Sequence, residues 1–337
     1  MEEKTNVLEV RDLSVSYTVA NVKTHVLDGV SFSVEKGKSV GIVGESGCGK
    51  TTTLRAILNV LPSNGTMESG EILYDGKNIL QMSKDELQEY RQKGAGMIFQ
   101  DPSSALNPVI SIKNQFLEAL KYAHNEHKGK KLTKAELLEK AAKSLETVSL
   151  ADPDRILNSY PFQLSGGMRQ RVCIAMTMAA ERQLLLADEP GTALDVTIQD
   201  QILRLIKRLV ESGELSVVMV THSLGVIRQV TTTVNIMYAG TIVEGGETKQ
   251  VFENPQHPYT QALIDCLPKL TGSGIAKGIP GRIPDYSNPP KGCRFAPRCP
   301  YAVEKCMNEK PVRHEISAAH WVACFQAEEG QSCQKKY

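Results

Sequence analysis

The stretch that most constrains how this chain can fold is Gly44-Glu45-Ser46-Gly47-Cys48-Gly49-Lys50-Thr51. It fits G-x-x-x-x-G-K-[ST], and its flanks fit as well. The short apolar run Ser39 to Val43 precedes it and reads as a buried strand; Thr52-Thr53-Leu54-Arg55-Ala56-Ile57-Leu58 follows and reads as a helix. Glycines at this spacing let successive backbone N–H groups turn inward as an anion nest. The helix behind them points its positive end at the same anion. Lys50 adds a point charge for the β- and γ-phosphates of a nucleotide, and the Thr51 hydroxyl is a Mg²⁺ ligand. Cys48 reads as a small filler of the loop rather than a reactive thiol.

A partner acid stands far down the chain. Leu184-Leu185-Leu186-Ala187 is a buried-strand run that ends in Asp188 and Glu189. At the carboxyl end of a parallel strand such side chains face the ligand crevice. Asp188 is placed to hold Mg²⁺ directly or through water, and Glu189 to orient or deprotonate an attacking water. Ser216 to Val220 is a further buried strand. Val7 to Tyr17 and Val26 to Val34 carry period-2 patterns and read as half-buried strands, and Val196 to Val210 reads as a helix. Ser83-Lys84-Asp85-Glu86 and Thr133-Lys134-Ala135-Glu136 are capping boxes; the second leads into Leu137, Leu138, Ala141, Leu145 and Val148 at helical spacing. Asn125 to Lys134 is polar and basic and reads as a solvated loop.

The 337 residues are 41% hydrophobic and 23% charged, which excludes collagen, a mucin-like stalk and wholesale disorder. That length suggests about two domains. A net charge of +1 gives no global field toward nucleic acid. No run approaches the roughly 18 apolar residues of a membrane span. Met1-Glu2-Glu3-Lys4 lacks a signal-peptide pattern, so the chain reads as cytosolic, its membrane contacts made through a partner. Near residue 245 prolines and glycines multiply, and the domain boundary is placed there: 1–245 as one domain, 246–337 as a small loop-rich extension.

Between the loop and the acids lies Leu164-Ser165-Gly166-Gly167-Met168-Arg169-Gln170-Arg171, a Ser-capped glycine turn opening a helix from Met168 to Ala180. With this segment the chain resembles the ATP-binding subunits of ABC transporters. The resemblance implies an α/β P-loop NTPase of ABC type: a mixed sheet core, an antiparallel β subdomain, a helical subdomain at about 101–180, and the loop-rich C-terminal domain. It implies ATP and Mg²⁺ as ligands. It assigns Ser165, Gly166 and Gly167 to the γ-phosphate of the opposite subunit, Gln100 to a loop that senses Mg²⁺ and the membrane subunits, His222 to the γ-phosphate, Asp195 to the loop after the acids, and Tyr17 to stacking on adenine. Lys50, Gln100, Glu189 and His222 then form the catalytic set. Gly44 to Thr52, including Glu45, Ser46 and Thr52, form the nucleotide cradle, and Thr51, Gln100 and Asp188 serve Mg²⁺. Gly191 departs from the pattern, standing where relatives usually carry a small hydroxyl residue.

Five of the eight cysteines fall in the last 45 residues. A reducing compartment argues against disulfides, and thiolates around a metal would supply the cross-links a thin core lacks. Met237-Tyr238-Ala239-Gly240, His257-Pro258-Tyr259-Thr260 and Cys293-Arg294-Phe295-Ala296-Pro297-Arg298-Cys299 resemble the oligopeptide/dipeptide importer ATPases. In those relatives Cys293, Cys299, Cys306 and Cys324, here C-x5-C-x6-C-x17-C, match the ligands of a [4Fe–4S] cluster; Zn²⁺ or free thiols are the alternatives. Cys333 has no matching role, and His314 and His320 read as surface residues. The resemblance implies a head-to-tail dimer with a second, similar but non-identical ATPase, two membrane permeases and an external solute-binding protein, at the cytoplasmic face of the membrane, with no nucleic acid. Alternatives are an importer of nickel or another small solute, a soluble ABC ATPase without a transporter, and a metal- or nucleic-acid-binding module fused to a silent nucleotide fold.

Overall fold

Two long alternating runs at the start of the chain set up its first sheet. In this computed structural model, which describes residues 5–124, 132–192, 194–267 and 278–328, they are the strands Asn6–Val19 and Val22–Glu35. The described residues fall into two compact units, Met1–Glu35 with Ser39–Gln81 and Val220–Tyr337, and Lys36–Lys38 with Met82–Met219.

In the first unit the two strands pair antiparallel, and Asn6–Val19 pairs on its other side with Gly65–Tyr74, which pairs in turn with Lys77–Asn78. Leu8, Val10, Leu13 and Val15 are buried beneath this sheet, at roughly 1.5–3 kcal/mol for each large side chain withdrawn from water. The strand Ser39–Val43 pairs parallel with Thr233–Tyr238, with Val40 opposite Thr233 and Val43 opposite Ile236. Thr233–Tyr238 turns back into Thr241–Glu247, and the C-terminal segment joins that strand: His320–Val322 lies antiparallel to it, and His314–Ser317 beyond.

The second unit has Ala95–Ile98 and Leu184–Asp188 as parallel neighbours, in register from Ala95 and Leu184 to Ile98 and Ala187. Both strands are buried throughout, which is why Leu184 to Ala187 reads as an unbroken apolar run. Helices alone occupy 102–179 among the described residues. The predicted capping boxes form: Ser83 and Glu86 close the start of Lys84–Glu89, and Thr133 and Glu136 that of Lys134–Thr147. Leu137, Ala141 and Leu145 are buried on the inner face of the latter helix, which packs on Gly166–Ala179. Among the described residues no helix is long and apolar enough to cross a membrane.

Candidate nucleotide site and cysteine cavity

The phosphate loop belongs to the first unit. Its leading strand, Ser39–Val43, is wholly buried, and the helix Lys50–Ile57 starts on the motif lysine. Gly47 and Gly49 have φ of +81° and +109°, a region in which only glycine is unstrained. Gly49 is the N-cap and makes no side-chain cap, as suits a helix start that is to present its amides to an anion. A Cβ on Gly44 would stand 2.0 Å from the Met237 carbonyl oxygen, which fixes glycine there for a second reason, close approach. Lys50 is 7% exposed, and its Nζ donates to Gly44 O at 2.8 Å and Glu45 O at 3.1 Å. Cys48 is fully buried and burial pushes its thiol up, so a thiolate is rare. Ser46 is exposed; Thr51 and Thr52 are half-buried, and Tyr17 Oη reaches to 3.4 Å of Thr52 Oγ1. His222 is exposed one residue past the strand Ser216–Thr221.

Side chains distant in sequence also reach this loop. The Tyr259 hydroxyl accepts the Glu45 N–H at 3.0 Å, the Tyr286 hydroxyl donates to Gly47 O at 2.7 Å, and Arg298 forks onto the Glu45 carboxylate at 2.9 and 3.1 Å. None of the three was legible as a loop partner; the one signal was a pair of arginines set inside a cysteine run.

The acids belong to the second unit. Asp188 and Glu189 are 3% and 9% exposed at the end of Leu184–Asp188. Glu189 has φ +47°, a left-handed conformation that costs a non-glycine residue about 1–3 kcal/mol and that clusters at functional sites. Gln100 Nε2 donates to Glu189 Oε2 at 3.4 Å, so the structure brings together two residues that lie 89 positions apart in sequence. Thr192 Oγ1, 3.1 Å from the same oxygen, is a neighbour that sequence reading missed. At Gly191 the place a Cβ would take is occupied by the Gln199 side chain, 2.6 Å away at Cγ. Ser165 caps Gly166–Ala179, accepting the Met168 N–H at 3.3 Å, and both Ser165 and Gly166 are exposed; Gly167 is half-buried. Gln170 is fully buried and donates to Phe99 O and Pro190 O, tying this helix to the residues beside Gln100 and Glu189. Asp195 is exposed and caps Val196–Glu211 through the Ile198 N–H at 3.0 Å.

Back in the first unit, Cys293, Cys299, Cys306 and Cys324 line one cavity, together with His257, Phe295 and Phe325. Backbone hydrogen bonds build the shell: Cys293 N–H to Cys306 O at 2.8 Å, Ala296 N–H to Cys293 O at 3.0 Å and Cys299 N–H to Ala296 O at 3.2 Å. Gly292 lets its loop approach the helix Glu304–Asn308; a Cβ there would meet Cys306 O at 2.3 Å. Burial pushes the Cys293 thiol up to about 11, Cys299 to about 12, and Cys324 upward too, with the neighbouring sulfurs adding to each. His257 is driven down to about 3 by burial, and its Nδ1 accepts the Tyr259 N–H, leaving the ring proton on Nε2. In kind, four convergent thiols suit an iron–sulfur cluster. In spacing, the space between them is about 10 Å³, near that of one water. Among the described residues no three His, Cys, Asp or Glu side chains are gathered to hold a metal ion. Zinc asks for that tight grouping, with Zn–S of about 2.3 Å. Cys333 lies outside the described residues.

His314 is exposed as expected, but His320 is not: it is 2% exposed, its Nε2 2.7 Å from Oε1 of the wholly buried Glu244. That carboxylate also accepts the Gln256 and His257 N–H groups at 2.8 and 2.9 Å. A buried carboxylate must be partnered, and strand pairing delivers the histidine to it.

A buried strand, a glycine loop with two left-handed residues and a helix opening on lysine define an α/β protein that binds a nucleoside triphosphate. Residues 27–192 match the ABC transporter family, and residues 243–306 match the C-terminal region of oligopeptide/dipeptide transporters. A probable peptide ABC transporter ATP-binding protein of Sinorhizobium fredii is 43% identical over 96% of this chain and 95% of its own. The oligopeptide transport ATP-binding protein OppD of Bacillus subtilis is 43% identical over 94% and 88%. A dimeric, post-hydrolysis ATP-binding cassette solved with ADP and Pi superposes with a TM-score of 0.64 at 27% identity, over 72% of this chain and 98% of that one. The chain therefore belongs to the ABC transporter family as an ATP-binding subunit, and it carries the C-terminal region of the oligopeptide/dipeptide transporters.

Proposed function

We propose that this subunit is the ATP-hydrolysing motor of an importer for di- and oligopeptides, at the cytoplasmic face of the membrane. The observation that carries the ATP reading is the loop Gly44–Thr51, with left-handed Gly47 and Gly49 between a buried strand and an uncapped helix start. The peptide reading is supported by the match of residues 243–306 and by the names of the relatives. Residues 1–245 act as the cassette and 246–337 as its extension. Lys50 and the loop amides hold the phosphates, and Tyr17 stacks on the base. Thr51, Gln100 and Asp188 supply the oxygen donors that suit Mg²⁺. Glu189, its carboxylate within reach of Gln100 and Thr192, orients or deprotonates the attacking water, and His222 contacts the γ-phosphate. Ser165, Gly166 and Gly167 close on the nucleotide of a partner subunit, a similar but non-identical ATPase, with Asp195 beside them. Closure drives two permeases fed by an external binding protein.

Purified protein given Mg-ATP is expected to release phosphate, and Glu189→Gln to lower turnover about 10²-fold or more while nucleotide still binds. Undiminished turnover in that variant removes Glu189 from the mechanism. In vesicles holding the whole importer, ATP-dependent uptake of a labelled oligopeptide tests the substrate.

The four cysteines are proposed as ligands of a [4Fe–4S] cluster on their convergence alone; the cluster would supply the cross-link between loops that carry little core. Anaerobic purification with iron and sulfide counts checks this, and a colourless protein bearing one zinc would replace it.

A further inference from the structure

Arg298 is the most completely engaged side chain among the described residues of the extension. Its guanidinium has five N–H donors, and all five are used. Nε donates to Pro280 O at 2.8 Å; one terminal nitrogen donates to Glu45 Oε2 at 2.9 Å and Tyr238 Oη at 3.2 Å; the other donates to Glu45 Oε1 at 3.1 Å and Ile279 O at 3.1 Å. The side chain is 5% exposed and lies over the rings of Tyr238 and Phe295, at 5.6 and 5.9 Å. A planar fork used in this way fixes its partner in both distance and angle.

That partner is the second residue of the phosphate loop. A carboxylate beside a nest built for phosphate is a poor choice unless its charge is taken up elsewhere, because like charges in one site repel. Arg298 takes it up from behind and holds the side chain to the wall of the extension. The same loop is braced through its backbone by Tyr259 and Tyr286. Arg298 directly precedes Cys299, so one seven-residue segment, Cys293 to Cys299, lines the cysteine cavity and grips the loop.

We propose that Arg298 is a positioning residue of the ATP site, supplied by the C-terminal extension, which neutralises Glu45 and holds the phosphate loop in its binding shape. This rests on the reading of Gly44–Thr51 as the nucleotide cradle.

The test is equilibrium binding of a fluorescent ATP analogue with Mg²⁺ to the full-length chain. Arg298→Ala is expected to weaken binding tenfold or more, about 1.4 kcal/mol. Glu45→Gln alone, which removes the charge to be masked, is the reference measurement. The double variant should bind within threefold of Glu45→Gln, because the unmasked charge is gone. Arg298→Lys, which keeps the charge and loses the fork, should fall between. A brace that were only structural would not be rescued by Glu45→Gln, so a double variant as weak as Arg298→Ala overturns the proposal. Unchanged binding in Arg298→Ala overturns it too. Wild-type protein that does not bind the analogue overturns the nucleotide reading itself, and this inference with it.

Discussion

The phosphate loop and the cysteine cavity belong to the same unit and are built on opposite plans. The loop is made of backbone: left-handed glycines and a helix start do the shaping, and Lys50 adds one charge. The cavity is made of side chains, four thiols and a histidine, set on short turns that hydrogen-bond to each other. Removing a side chain from the loop should therefore change chemistry and spare shape. In the cavity a single change should alter shape and the state of its ionisable groups together.

The two plans meet at their glycines, where the largest effects are expected. A Cβ at Gly44 would stand 2.0 Å from Met237 O, and one at Gly292 would stand 2.3 Å from Cys306 O. Both neighbours are backbone atoms that cannot swing away. Gly44→Ala and Gly292→Ala should each cost about 3 kcal/mol, the upper end for overpacking, read by denaturant unfolding. Gly44→Ala should also abolish nucleotide binding, while Gly292→Ala spares it and opens the cysteines to thiol reagents. Loss of the same property in both variants would show that loop and cavity are not shaped independently. Next comes Lys50→Ala, expected to reduce ATP turnover about a hundredfold, near 2.7 kcal/mol of transition-state stabilisation, with the melting temperature held. A variant that melts early instead would show that the lysine shapes the loop through its bonds to Gly44 O and Glu45 O.

The cavity should respond to mild acid. His257 titrates near 3 in the folded chain against 6.5 when free, because burial disfavours its cation. Between those values the unfolded chain binds the extra proton, so stability falls as pH drops below about 6.5 and is complete above it. At pH 5 the loss amounts to about 2 kcal/mol. Unfolding followed at pH 7.5 and pH 5 should show it, and His257→Gln should flatten the slope. An equal slope in that variant would assign the acid sensitivity to another group.

What could be read in advance follows the same division. Backbone rules are local, so the loop, its strand and its helix stand where the letters put them, and the capping boxes at Ser83 and Thr133 form as spaced. Glu189 and Asp188 were visible as acids ending an apolar run. The left-handed turn at Glu189 was not, because it is imposed by the residues around it rather than by a glycine. The engagement of Glu45 by Arg298 spans 253 positions and has no periodic signal. His320 carried the polarity of a surface residue, and only pairing of its strand with Thr241–Glu247 buries it against Glu244. Side-chain partnerships across the fold are what single-sequence patterns omit, and the cavity consists of them.

The smallest expected effect lies at the loop's contact with Tyr286 of the extension. Tyr286 donates its hydroxyl to Gly47 O at 2.7 Å, and its own carbonyl accepts the His25 N–H at 3.0 Å, so the ring stays anchored if the hydroxyl is removed. Tyr286→Phe deletes one neutral hydrogen bond, worth about 0.5–1.5 kcal/mol net. Gly47 is already held at φ +81°, a conformation open to glycine without strain. If the hydroxyl helps to fix that carbonyl, ATP affinity should fall about two- to tenfold with the melting temperature nearly constant, read by titration with a fluorescent ATP analogue. An unchanged affinity would mean that water satisfies the carbonyl equally well and that glycine dihedrals alone give the loop its shape. The extension would then act on the nucleotide site through the Arg298 fork and the Tyr259 hydroxyl, and the separation between a backbone-built loop and a side-chain-built cavity would be cleaner than the contacts suggest.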